Sequence, residues 1–383
     1  MAQFGPEEKL ARIALARSSG IGPVLWSRLL RRFGSGRAAH RALPGLVARG
    51  EIRDGRIASL AEAEREIAAA ARLGARILVF GEPGYPARLA HLSDPPPVLR
   101  LRGDPVVLEA PAVALVGARN ASANGRAFAR TMARELADAG LLVVSGLARG
   151  IDTAAHEGAL GRPGGTAAVL ACGLDIAYPP ENAALTEAIA AAGLLLSERP
   201  FGEPPRAKHF PRRNRLIAAL SLAVVVVEAA ERSGSLMTAR LAAELGREVM
   251  AVPGTPLDPR HRGTNRLLRE GAALVQSAAE VLELLDGLGG MRRPSPAVAA
   301  ATVPPSAERA DGRPGGAAGK DPSVSPRLRE RLESCLAPEP LAVDELVRQC
   351  QASAADVQEA LLELELAGRI TRHPGNRVSR TAG

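Results

Sequence analysis

The spacing of apolar positions changes three times along the chain. In residues 1–72 apolar side chains recur at helical spacing, predicting a small helical N-terminal domain. Between the helical stretches 7–18 and 24–33 stands Gly20-Ile21-Gly22-Pro23. It reads as a helix-hairpin-helix turn whose amides could hold a phosphate, or simply as a turn that needs glycine's φ freedom. Residues 75–80 and 98–102 predict strands that precede a main sheet. From 112 to 285, short β-branched or leucine-rich runs alternate with alanine-rich helical stretches. The runs lack polar alternation, so six or seven of them predict a parallel sheet covered on both faces. This is a doubly wound, Rossmann-like α/β domain over 73–286. Residues 287–326, rich in Pro, Gly, Ala and Ser, have no hydrophobic period and predict a flexible linker. Beyond it, helical stretches at 328–336, 343–350 and 354–367 and a hairpin turning at Pro374-Gly375-Asn376 predict a winged-helix domain over 327–383.

Composition narrows the function. Of 383 residues 46% are apolar and 23% charged, the balance of a globular chain. The net charge of +8 comes almost wholly from arginine, because lysine occurs only at Lys9, Lys208 and Lys320, and it suits an anionic partner. Three cysteines without CxxC spacing and six scattered histidines give no disulfide framework and no metal site. The longest apolar run, 216–227, is interrupted by Ser221 and falls short of the roughly 20 residues a membrane helix needs. With no signal-peptide pattern at the N-terminus, the expected compartment is the cytoplasm, with no membrane role and no cofactor.

Ligands of a doubly wound sheet bind beyond the carboxyl ends of its strands. The loops there are Gly117-Ala118-Arg119-Asn120, Ser145-Gly146-Leu147-Ala148-Arg149-Gly150, Cys172-Gly173-Leu174-Asp175 and Ser233-Gly234-Ser235. Small residues let backbone amides approach an anion, so phosphate binding is the expected chemistry. The dinucleotide fingerprint, the P-loop and the G-x-S-x-G elbow are all absent.

The segment 206–215, Arg-Ala-Lys-His-Phe-Pro-Arg-Arg-Asn-Arg, holds five basic residues and no acid. Pro211 suits the first helical position, which would put Arg212, Arg213 and Arg215 in the first turn against the helix dipole, at roughly 0.3–1 kcal/mol each. A bound polyanion would reverse that penalty; the competing reading is a solvated face paired with Glu198 or Glu228. Phe210 offers a flat face for a base, or is a core residue. Cys172 reads as a buried cysteine rather than a nucleophile, His156 as a structural hydrogen-bonder, and Asp152 as a helix N-cap. Ser145-Gly146 and Ser233-Gly234-Ser235 are turn residues or ligand donors.

These motifs, in this order, resemble the DNA-processing protein A (DprA/Smf) family. The match rests on Val116-Gly-Ala-Arg119, Ser145-Gly-Leu-Ala-Arg-Gly-Ile-Asp152 with His156, Gly173-Leu-Asp175 with Tyr178-Pro179, Phe210-Pro-Arg-Arg-Asn-Arg215 and Ser233-Gly-Ser-Leu-Met-Thr238. The resemblance implies a non-enzymatic protein that binds single-stranded DNA, commonly as a homodimer, and loads the RecA recombinase onto incoming strands in natural transformation. By position, Arg119, Arg149, Lys208, Arg212, Arg213 and Arg215 would contact phosphates. Ser145, Gly146, Ser233, Gly234 and Ser235 would donate to them, while Phe210 and Asn214 would hold a base. Ala207 stands where members often carry a lysine, leaving Arg206 and Lys208 as the two candidates for that role. The alternatives are a nucleotide-binding or phosphoribohydrolase-like enzyme on a related scaffold, and a regulator acting through the winged helix.

Overall fold

The computed structural model describes residues 4–52 and 55–287 and, in the C-terminal region, residues 332, 335–336, 341–350, 352, 357, 360–361, 364, 369–373 and 377–380. The expected linker, the outer two helices of the tail and the Pro374-Gly375-Asn376 turn lie wholly or mostly outside the described residues. Residues 1–296 and 297–383 form two separate compact units.

The first unit opens with α1 (Pro6–Arg17), α2 (Pro23–Phe33), α3 (Gly36–Ala48) and α4 (Leu60–Arg72). Ser59 and Glu62 form a reciprocal capping box that starts α4. Gly20, at φ +76°, makes the turn into α2, where Gly22 is the N-cap. Trp26, Leu29, Leu43 and Leu46 fill a core shared with the first strands of the sheet. An ion pair buried at that junction joins Glu66 of α4 to Arg100, whose side chain is wholly enclosed; Arg17 reaches the same carboxylate at 2.7 Å.

The sheet consists of β1 (Ala75–Val79), β2 (Val98–Gly103), β3 (Ala112–Val116), β4 (Leu142–Ser145), β5 (Thr166–Leu170), β6 (Leu194–Ser197), β7 (Ala223–Val226), β8 (Glu248–Ala251) and β9 (Ala273–Leu274). Their order is β1-β2-β6-β5-β4-β3-β7-β8-β9. β3 to β9 are parallel to their neighbours, whereas β1 and β2 extend the β6 edge antiparallel. The central strands are fully buried, as unalternating apolar runs require.

The remaining helices of this unit are α5 (Ala87–Ala90), α6 (Ala123–Asp138), α7 (Ile151–Ala159), α8 (Ala183–Ala192), α9 (His209–Leu220), α10 (Gly234–Glu244), α11 (Arg262–Arg269) and α12 (Ala278–Gly287). Of these α6, α7 and α12 pack on one face through Met132, Leu136, Ala155 and Val281. α9 and α10 pack on the other through Leu216, Ile217, Leu236 and Ala239. The chain therefore leaves β3 toward one face and β7 toward the other. These two strands are neighbours, so a crevice opens between their carboxyl ends, at the topological switch point.

In the second unit a three-stranded sheet, formed by Leu341–Ala342, Ile370–His373 and Arg377–Arg380, accompanies a helix at Val343–Cys350. Leu346, Leu361 and Val378 lie in its core, the plan of a winged helix.

Candidate nucleic-acid interface

The crevice is a cleft of about 580 Å³ walled by the loop after β3, the N-terminal half of α9, and the loop leading from β7 into α10. It gathers Arg119, Phe210, Arg213, Asn214, Ser233, Gly234 and Ser235 from the residues expected on sequence grounds, and adds Asn120, Arg232 and Arg260. The spacing explains the grouping: 210, 213, 214 and 217 recur at i, i+3, i+4 and i+7 and share one face of α9. Pro211, Arg212 and Arg215 face a separate cleft of about 530 Å³, opposite Ile21-Gly22-Pro23 of the α1–α2 turn. The basic run is thus divided between two surfaces.

Helix α9 begins at His209, with Lys208 as N-cap. Pro211 is therefore the third helical residue rather than the first, and Arg212, Arg213 and Arg215 follow the first turn. Dipole repulsion fades within that turn, so the expected stacked penalty is largely absent. Arg215 is held by Glu198 at 2.8 Å and by Asp94 at 3.1 Å. The pairing with Glu198 weighed for the arginines is realised at this one position. Arg149 is paired with Glu181 on the exposed rim. Arg119, Lys208, Arg212 and Arg232 are exposed and make no ion pair among the described residues.

Arg213 forms the floor. Its side chain is 6% exposed, one guanidinium nitrogen lies 3.9 Å from Oδ2 of Asp152, and its Nε has no hydrogen-bond partner. Burial pulls its pKa down, and the Asp152 carboxylate opposes that shift. Asp152 is itself enclosed, with its pKa raised by burial against the pull of Arg213. It is not the N-cap of α7: Gly150 holds that place at φ +80°. Asp152 instead accepts hydrogen bonds from the Gly146 and Ala148 amides at 3.2 and 3.4 Å, folding the β4–α7 loop around its own carboxylate.

The same loop contains Leu147 at φ +55°, a left-handed conformation costly for a bulky side chain. Its N–H donates to Nε2 of His156 at 3.3 Å and its carbonyl accepts from Asn182 at 3.0 Å. His156 donates through Nδ1 to Thr166, leaving Nε2 as the acceptor. Burial depresses its pKa to about 3, so it is a neutral structural group, as expected. Ser145 is fully buried and its hydroxyl donates to the Leu115 carbonyl at 2.6 Å. It shapes the strand end and does not open into the cleft. Asn214 donates to the Gly234 carbonyl at 3.3 Å, tying α9 to the start of α10. Cys172 is buried with its thiol pKa pushed up to about 11, the state of an inert thiol.

Glu228 decides what this rim can hold. In dinucleotide-binding proteins the N-terminus of the helix after the first strand receives a pyrophosphate. Here the buried Glu228 carboxylate accepts from the Ser122 amide at 2.9 Å and its hydroxyl at 2.5 Å, and packs against Gly125 at the start of α6. A protein anion already fills that position. The open basic surface is displaced toward Arg119, Phe210 and Arg232, where Arg119 lies 4.8 Å over the Phe210 ring. Arg232, one residue before the Ser233-Gly234-Ser235 motif but outside it, and Arg260, in the short turn Pro259–His261 after β8, are cleft residues that sequence reasoning missed.

A doubly wound sheet whose switch point presents a basic, partly aromatic cleft, with a helix-hairpin-helix region before it and a winged helix after it, belongs to the nucleic-acid-handling proteins. Residues 76–286 match the family model for DNA recombination-mediator protein A, 6–69 the DprA-like N-terminal HHH domain, and 316–376 the DprA winged helix domain. Protein Smf of Synechocystis is 34% identical over 398 residues, 96% of this chain and 98% of that protein. DNA processing protein DprA of Streptococcus pneumoniae is 46% identical over 198 residues, 52% of this chain and 70% of that protein. The solved structure of the S. pneumoniae protein superposes with a TM-score of 0.62 at 35% identity, covering 74% of this chain and 98% of that one. DNA processing protein A from Helicobacter pylori, whose structure was solved for its single-stranded DNA binding mode, gives 0.51 at 33% identity over 57% of this chain and 98% of that one. The chain belongs to the DNA-processing protein A family of DNA recombination mediators.

Proposed function

We propose that this chain binds single-stranded DNA in the cleft between the β3 and β7 loops and acts by binding rather than by turnover. The observation that carries the reading is the enclosed guanidinium of Arg213, facing the cleft with its Nε unpartnered, beneath the exposed Arg119 and Arg232. Phosphates would be met in the cleft by Arg119, Arg232 and the amides of Gly234 and Ser235 at the start of α10, and by Lys208 at the N-cap of α9, with Arg212 meeting the strand only where it runs on to the second cleft. Roughly four to six neutralised phosphates per protomer give a log–log salt slope of about −3 to −4. The filled helix terminus at Glu228 speaks against a dinucleotide-using enzyme. Pro163-Gly164-Gly165, the nearest likeness to a phosphoribohydrolase loop, precedes β5 and so lies at the end of the sheet opposite the cleft.

In this reading the protein works in the bacterial cytoplasm as a homodimer that loads the RecA recombinase onto incoming strands, with domains divided near residues 72, 286 and 326. Titration of a labelled single strand beside its matching duplex tests it. Preference for the single strand is expected; preference for the duplex, or binding of neither, would overturn it.

A further inference from the structure

Phe210 is not a bare platform. Its ring is flanked by Arg119 at 4.8 Å, Arg213 at 5.9 Å and Tyr178, whose ring centroid lies 6.1 Å away at 57°. Phe210 and Tyr178 are both half-buried, and the Tyr178 hydroxyl makes no hydrogen bond among the described residues. The loop carrying Tyr178 is pinned at several points. Gly173 donates to the Glu203 carbonyl at 3.0 Å and Ile176 to the Gly173 carbonyl at 3.1 Å. The Asn182 side chain donates to the Leu147 carbonyl at 3.0 Å and the Thr153 hydroxyl at 2.9 Å. Beyond the tyrosine, Arg149 and Glu181 pair on the surface with about half of each side chain exposed. The Arg149 guanidinium lies within electrostatic range of the Tyr178 oxygen. Arg119, Phe210, Tyr178 and Arg149 therefore make a continuous ledge out of the cleft, past the ends of β3, β4 and β5.

We infer that Tyr178 forms a second nucleobase subsite, on which a base of the single strand stacks after leaving the cleft, with the flanking phosphate drawn to Arg149. This rests on the single-strand reading above. An aromatic ring held rigidly beside a guanidinium is the combination that binds unpaired bases without sequence preference. Exposed ion pairs such as Arg149–Glu181 contribute little and yield readily to another anion. Because the Tyr178 ring carries no charge, its stacking adds affinity without changing the salt dependence, which comes from phosphate contacts such as that to Arg149.

The test uses the full-length protein and oligonucleotides carrying 5-iodouracil or 2-aminopurine at each successive position. Irradiation of the wild-type complex is expected to cross-link one internal position to the peptide containing Tyr178, and 2-aminopurine at that position is expected to be quenched. Tyr178→Leu should lower affinity for strands long enough to reach the ledge by about tenfold, leave the salt slope unchanged and abolish the quenching, while Tyr178→Phe restores both. Cross-links confined to other peptides, or full quenching in Tyr178→Leu, would overturn the subsite while the cleft reading stands. Failure of the wild-type protein to bind any single strand would remove both.

Discussion

The guanidinium of Arg213 occupies the space that a side chain at Gly146 would need: a Cβ built there meets Nη1 and Cζ of the arginine. Glycine at the end of β4 therefore sets the depth of the cleft floor. Gly146→Ala is expected to drive the guanidinium off its site, costing about 1–3 kcal/mol of stability through overpacking. Single-strand affinity should fall tenfold or more. Thermal melts and anisotropy titrations check the two effects, and wild-type affinity in a folded variant would contradict the role given to Arg213.

Asp152 and Arg213 are enclosed together 3.9 Å apart, so neither tolerates loss of the other. Asp152→Asn leaves a buried cation without its counter-charge and is expected to cost about 3–5 kcal/mol in urea denaturation. The double variant Asp152→Asn/Arg213→Met should recover a substantial part of that loss, because no uncompensated charge remains. A purely additive double variant would show that the pair is not coupled.

Much of this architecture was legible in the chain. The unalternating runs such as Val224–Val226 announced a parallel sheet, and the absence of a dinucleotide fingerprint agreed with the carboxylate found at the α6 terminus. The division of the basic segment was not legible. Seven residues at helical spacing must point to two sides, but the start of α9 at His209 rather than Pro211 decides which side each arginine takes. Burial was equally hidden: Ser145 and Arg213 stand in the same motif class as Arg119, yet only three-dimensional packing encloses the first two. Arg260 reaches the cleft from a loop more than 40 residues beyond the basic segment, with no local pattern to mark it.

His156 couples the strained loop to pH. Its folded-state pKa, depressed by burial to about 3, lies below the ordinary value of about 6.5. As pH falls through that window the unfolded chain takes up a proton that the native one refuses. Stability is therefore present above about pH 6.5 and declines by about 1.4 kcal/mol per unit below it. Asp152, whose pKa is raised, acts in the opposite direction but is shared with the comparison protein. His156→Gln is expected to show a shallower loss of stability between about pH 6 and 4; parallel pH profiles would contradict the assignment.

Glu66 holds two arginines at the junction of the helical region with the sheet, and Arg100 is wholly enclosed there. Glu66→Gln should destabilise the protein by about 3–5 kcal/mol. Because Glu66 and Arg100 line neither cleft, and Arg17 lines only the second, single-strand affinity at a temperature where the variant stays folded should remain within about twofold of wild type. Equilibrium unfolding and anisotropy on the same sample separate the two effects.

The most direct measurement is the salt dependence of single-strand binding for wild type and for Arg119→Ala/Arg232→Ala, two exposed cleft arginines without ion pairs among the described residues. Their replacement spares the buried Asp152–Arg213 pair and the Arg215 network. The account expects a folded variant whose affinity drops at low salt and whose log–log slope is shallower by about 1.4, the loss of two phosphate contacts. An unchanged slope and affinity would place the strand elsewhere on the molecule and contradict the cleft as its site.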